Sequence, residues 1–144
     1  MKKAFSLFEV IIVLVILTIF ALTAMLSAKA YTNYMENREV ERIAQKIINA
    51  KRYAIITNTS AKICADISAN EFTISCGDQK DIIQCDFVEI IDFPDIRFYG
   101  SGAPERGATI RLVSNNNRYQ ITIGVATGKV SIKHERKFLQ DQKN

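Results

Sequence analysis

The chain has 144 residues, of which 24% are charged and 48% are hydrophobic, and its formal net charge is +4. This length leaves room for one globular domain of roughly 90 residues beside the apolar N-terminal segment. Lys2 and Lys3 contribute +2 to this net charge. The overall charge is therefore a weak argument for a nucleic-acid-binding protein.

The N-terminal segment is the most apolar part of the chain. Residues 10–28 carry no charge, and as a helix rising about 1.5 Å per residue they would span roughly 28 Å, close to the thickness of a bilayer's hydrocarbon core. We therefore expect a membrane-spanning helix over residues 5–28. Glu9 lies at the edge of this segment, where a carboxylate costs about 2–3 kcal/mol in lipid and usually has a function. Glu9 is expected to need a partner.

Two common kinds of apolar N-terminal segment, a secretory signal and a plain membrane anchor, are alternatives for residues 1–30. An ordinary secretory signal would be cleaved at Ala28-Lys29-Ala30, but its apolar run would be shorter and would lack a residue like Glu9. A plain single-pass anchor is compatible with the hydropathy alone. The spacing of Ala4, Phe5 and Glu9 is not expected of either kind of segment, and it favours a third kind of signal, which is described below.

The next part of the chain has the pattern of an amphipathic helix. Residues 1–76 contain neither glycine nor proline, so no strong helix breaker interrupts the segment. Between Val40 and Ile55 the apolar residues recur with a period of 3.6. We expect one continuous helix over residues 6–56, in which residues 29–57 form the amphipathic continuation, ended by the polar run from Thr57 to Ser60.

Residues 58–144 are predicted to form a β-rich globular domain with a basic C-terminal tail. The pattern changes to a period of two, and two strands joined at Ser68-Ala69-Asn70 form a hairpin that places Ile67 opposite Phe72. The predicted fold class is α+β, with the apolar stripe of the helix packed on an antiparallel sheet. The further predicted strands cover residues 81–91, 96–99, 108–113, 118–125 and 129–133.

The N-terminus resembles the class III signal of type IV pilins and pseudopilins. A short basic leader precedes Phe5, Glu9 is the fifth residue counted from that Phe, and a long apolar run follows. The resemblance implies that residues 1–4 are a leader, that a prepilin peptidase cleaves between Ala4 and Phe5, and that Phe5 is then N-methylated. It also implies that Glu9 neutralises a terminal amine during subunit assembly. Ala4 stands where the family usually has glycine.

The globular part is similar to GspH/FimT-type minor pseudopilins. The similarity lies in residues 42–55 with Asn58 and Ile63-Cys64, and in residues 119–124 with the turn at 127–130. It implies a structural subunit of a type II secretion pseudopilus or a type IV pilus. Such a protein is anchored in the bacterial inner membrane by a single span, has a periplasmic domain, and joins other pilins in a filament.

A second function stays open, in which the chain is a DNA-binding minor pilin of a competence pilus. The basic tail would then contact phosphates. The charge of this tail is modest, and only Phe138 offers an aromatic ring for stacking on bases. The residues expected to contact DNA are Lys129, Lys133, Arg136 and Lys137.

The cysteine pattern allows at most one disulfide among three residues. On the expected register Cys64 and Cys76 lie on opposite faces, so Cys76 with Cys85 is the more plausible pair. The alternative is that all three thiols are small buried hydrophobic groups. No cofactor or metal is expected, since His134 is the only histidine, and no motif indicates an enzyme.

Overall fold

The computed structural model describes residues 7–115 and 117–136, apart from the side chains of Met25, Leu26 and Arg136. It contains one long helix and two antiparallel four-stranded sheets, which confirms the α+β class. The chain divides into two compact units, a first unit that ends at Met35 and a second unit that begins at Glu36. The elements are α1 (Leu7–Thr57), β1 (Ala61–Asp66), β2 (Glu71–Cys76), β3 (Gln79–Gln84), β4 (Glu89–Asp92), β5 (Ile96–Phe98), β6 (Ala108–Val113), β7 (Asn117–Ile123) and β8 (Val130–Arg136).

Helix α1 matches the continuous helix that the sequence predicts. Its last turn is closed by the amide of Thr59, which donates to the carbonyl of Ala54 at 3.2 Å. Asn58 adopts the left-handed conformation with φ of 51°, a conformation that Asn tolerates better than most residues and that ends many helices. The polar run after Ile56 therefore ends the helix through local backbone geometry.

The core of the second unit joins the helix to both sheets. The strands are ordered β3-β2-β1-β5 in one sheet and β4-β6-β7-β8 in the other. The apolar stripe of α1 is buried together with the inward side chains of the strands, as the 3.6 and 2.0 periods predict. The buried apolar residues of α1 are Val40, Ile43, Ala44, Ile47, Ala50 and Ala54.

The single strand predicted over residues 81–91 is wrong. The chain forms β3 and β4 there, and the two strands belong to different sheets. Between them the side chain of Asn70 donates to the carbonyls of Cys85 and Val88 at 2.8 and 2.9 Å, and accepts from the amide of Ile90 at 2.9 Å. Side chains distant in sequence thus satisfy the backbone where a strand would otherwise continue.

The predicted register of the first hairpin is wrong by two residues. Ala65, rather than Ile67, lies opposite Phe72. The reason is a turn at residues 67–70, one residue earlier than the predicted pairing requires, in which Asp66 Oδ1 accepts from the amides of Ser68 and Ala69 at 2.9 and 3.1 Å, while Asn70 has φ of 56°. A shift of two residues keeps each side chain on its predicted face.

Candidate functional site

The apolar part of α1 is the first candidate site. One helix in the described part of the chain, near the N-terminus, is long and apolar enough to cross a membrane. Its large side chains are exposed, among them Leu7, Phe20 and Leu22 at 79%, 69% and 64%. Exposed apolar surface of this extent indicates contact with lipid or with another protein.

The three polar side chains between residues 10 and 28 are satisfied inside the helix. Thr18 donates to the carbonyl of Val15 at 2.7 Å, Thr23 to that of Phe20 at 2.9 Å, and Ser27 to that of Thr23 at 2.9 Å. A hydroxyl that bonds its own helix needs no water. The segment can therefore enter hydrocarbon without leaving these groups unpaired.

Glu9 lies in the first turn of α1 and is exposed. A carboxylate in this position is favoured by the positive end of the helix dipole. No salt bridge of Glu9 is found among the described residues. Ala4 and Phe5, the predicted cleavage and methylation positions, lie outside the described residues.

Glu36 is a buried carboxylate at the start of the second unit, only 3% exposed. It accepts hydrogen bonds from Ser114 Oγ at 2.7 Å, Asn117 Nδ2 at 2.8 Å and Tyr119 Oη at 3.1 Å. Burial, followed by the charge of Glu36, raises the pKa of the Tyr119 phenol, which therefore stays a donor. Glu36 thus binds α1 to the second sheet.

Glu39 is the second buried carboxylate, one turn further along α1. Its two oxygens accept from the backbone amides of Asp86, Phe87 and Val88 at 2.9, 2.7 and 2.9 Å. These amides belong to the connection between β3 and β4. Glu39 therefore binds α1 to the segment where the chain passes from one sheet to the other.

The roles of Glu36 and Glu39 were not predicted from the sequence. For Glu36 a signal was present, because residues 36, 40, 43, 47, 50 and 54 follow a spacing of four and three that places them on one helix face. Glu39 is not in this series. A glutamate in such a stripe is buried, and a buried carboxylate needs several donors. The donors come from strands and turns far along the chain, which no periodicity reveals.

Two of the four side chains of the predicted basic site, those of Lys129 and Lys133, are described by the structure. Lys133 forms a salt bridge with Glu135 at 2.6 Å on β8, and this contact lowers the pKa of Glu135. Lys129 is exposed in the turn before β8. The backbone of Arg136 pairs with Asn117, and Lys137 lies outside the described residues.

The predicted disulfide between Cys76 and Cys85 is not formed, and all three cysteines are free. Cys76 pairs with Gln79 at one end of the hairpin, while Cys85 follows Gln84, which pairs with Glu71 at the other end. The five residue steps from Glu71 to Cys76 separate these ends by roughly 17 Å, whereas a disulfide needs Cα atoms within about 7 Å. Burial raises the pKa of the Cys85 thiol to about 12, so this thiol stays protonated.

No group of three or more His, Cys, Asp or Glu side chains that could hold a metal ion occurs in residues 7–115 and 117–136. His134 instead stacks on Tyr119, with ring centroids 4.9 Å apart. The expectation of a metal-free protein stays a prediction.

Comparisons with models of protein families, with curated proteins and with solved structures returned no match.

Proposed function

We propose that this chain is a minor pilin or pseudopilin, a non-enzymatic structural subunit of a type II secretion pseudopilus or a type IV pilus. The observation that carries the proposal is Glu9 at the start of a charge-free, exposed helix. A lipid anchor alone does not need a carboxylate at the edge of its apolar run, whereas a helix that packs beside other subunits can pair it with an amine.

In this proposal the subunit is held in the bacterial inner membrane by the apolar part of α1, with its globular part in the periplasm. A prepilin peptidase removes residues 1–4, and Phe5 becomes an N-methylated terminus. Glu9 then forms a charge-assisted contact with the terminal amine of its own or a neighbouring chain. The same apolar surface that contacted lipid contacts other pilins in the filament.

The buried carboxylates give the proposed subunit a means of carrying force. Glu36 and Glu39 bind α1 to the strands and connections of the second unit. Lys51 Nζ adds a contact to the carbonyl of Thr127 at 2.6 Å in the turn before β8. A pull on this part of the helix is therefore transmitted to both sheets by hydrogen bonds as well as by apolar packing.

Replacing Glu9 tests the proposal. Glu9→Val should leave insertion into the membrane intact, because the segment becomes more apolar. It should impair incorporation into filaments, because the amine of a neighbour loses its partner. Recovery of the subunit in sheared filaments, relative to its amount in membranes, is the measurement.

The matched control is Thr18→Val, which removes a hydroxyl bonded only within its own helix. It should leave both membrane insertion and filament recovery unchanged. Equal filament recovery for Glu9→Val and the parent chain would contradict the proposed role of Glu9.

A further inference from the structure

The outer face of the β3-β2-β1-β5 sheet carries its charges in bands. The inward residues of these strands, such as Ile63 and Phe72, are buried, so the alternate residues face away from the core. The pairing register arranges these alternate residues in three rows that run across the strands. The basic row is Lys80, Ser75, Lys62 and Arg97, the neutral row is Ile82, Thr73 and Cys64, and the acidic row is Gln84, Glu71 and Asp66.

Two of the rows place like charges directly opposite each other. Lys62 lies opposite Arg97, and Asp66 lies opposite Glu71. Such pairs destabilise a sheet when nothing compensates them. The positive charge of Lys62 is compensated by Asp95, whose Oδ2 lies 3.3 Å from Lys62 Nζ. One oxygen of Asp66 accepts hydrogen bonds from two amides of the β1–β2 turn.

The remaining charges of the rows are available to a partner. Within the described part of the chain, Lys80, Arg97 and Glu71 form no salt bridge. Lys80 and Arg97 are exposed, as is Ile82 in the neutral row, at 55%. The face therefore presents one positive and one negative edge with an uncharged row between them.

This order of rows is self-complementary in one orientation. A two-fold axis along the neutral row turns a second copy so that its acidic row lies over the basic row of the first, and its basic row over the acidic row. A two-fold axis along the strands would instead place like rows together, and like-charge contacts cost several kcal/mol. The charge pattern thus selects a single isologous arrangement.

We propose that this face binds the same face of a second copy of the chain, with the neutral rows along the two-fold axis. Four strands of at most six residues offer roughly 400 Å² per copy, which is less than the about 800 Å² per partner of a standard interface. The contact is accordingly weak in dilute solution and forms where copies are concentrated, as in a membrane. It uses only the second unit, so its failure would leave the proposed role of Glu9 unaffected.

Cys64 allows the proposed contact to be measured by crosslinking. It lies in the neutral row, so the two-fold axis places it opposite Cys64 of the second copy. The experiment uses the full chain in membranes, with Cys76→Ser and Cys85→Ala so that Cys64 is the only thiol. A bismaleimide that spans about 10 Å, the separation of packed sheets, should link two copies through Cys64. The matched control is a chain with all three cysteines replaced and Thr122→Cys on the exposed face of the other sheet, which should give little dimer.

Charge reversal then tests the arrangement of the rows. Lys62→Glu with Lys80→Glu gives a face with two negative edges, and Glu71→Lys with Gln84→Lys makes the acidic edge net positive while keeping Asp66, which caps the hairpin turn. Each chain alone should crosslink through Cys64 at least about fivefold less than the parent, because like charges meet. A mixture of the two reversed chains should recover the crosslink as a heterodimer, which also shows that both variants fold.

Three results would overturn the proposal. The first is no Cys64 dimer, or a dimer no stronger than that of the Thr122→Cys control. The second is a crosslink that is unchanged by the reversals or is not recovered in the mixture. The third is a Cys64 adduct to a different protein in place of the homodimer, which would show that the face binds another partner.

Discussion

At the scale of single residues, two buried glutamates determine how α1 is bound to the second unit. Glu36 accepts hydrogen bonds from three side chains, whereas Glu39 accepts them from three backbone amides. A buried carboxylate is stable only with several donors, and those donors are unsatisfied if it is removed. These two positions are therefore more sensitive to substitution than their polar character suggests.

Replacing Glu39 with alanine tests this sensitivity. The amides of Asp86, Phe87 and Val88 would lose their acceptor, and we expect the free energy of unfolding to fall by about 3 kcal/mol. Glu41→Ala, at an exposed position of the same helix, should change it by less than about 0.5 kcal/mol. Denaturant unfolding of the chain in detergent is the measurement, and equal stability of the two variants would contradict the role of Glu39.

At the scale of elements, the sequence predicts correctly those features that depend only on neighbouring residues. The 3.6 period and the absence of glycine and proline predict α1 to within a residue at its end. The hairpin register depends on which side chain caps the turn, and the Asp66 cap places that turn one residue earlier than alternation alone indicates. The division of residues 81–91 into β3 and β4 depends on Asn70 and Glu39, which are distant in sequence. Similarly, the predicted Cys76–Cys85 disulfide was based on spacing along the chain, whereas the register of β2 with β3 places the two cysteines at opposite ends of these strands.

Asn70 connects the turn of the first hairpin to the segment between β3 and β4, and a substitution at this position tests the importance of that connection. Asn70→Gly keeps the left-handed backbone accessible but removes three side-chain hydrogen bonds. We expect a loss of about 2–4 kcal/mol in the free energy of unfolding. Asn58→Gly, at the left-handed residue that ends α1, should stay within about 0.5 kcal/mol of the parent. Denaturant unfolding compares the two, and an equal effect would show that backbone conformation alone explains Asn70.

At the scale of the whole molecule, the distribution of charge favours an assembly subunit over a DNA receptor. Removal of residues 1–4 would lower the formal charge from +4 to +2 before the new amine is counted. Lys133 is paired with Glu135, so fewer basic side chains are available for phosphates than the sequence suggests. Charge of this size provides little of the counterion release that drives DNA binding.

We therefore expect only weak, non-specific DNA binding at physiological salt. Fluorescence anisotropy of a labelled duplex, titrated with the full chain in detergent, measures it, and the log–log salt slope should be shallower than about −4. Replacing Lys129, Lys133, Arg136 and Lys137 with alanine should change the affinity little, as should the control Arg52→Ala on α1. Submicromolar affinity that is lost only in the first variant would favour the DNA-binding function.

The intact mass of the chain extracted from membranes of a cell with a prepilin peptidase tests the central proposal most directly. The proposed subunit should begin at Phe5, without residues 1–4 and with one methyl group on its terminal amine. The full-length mass would indicate a plain membrane anchor, and loss of residues 1–30 would indicate an ordinary secretory signal. Either of these two masses would contradict the assignment of the chain as a pilin-like subunit.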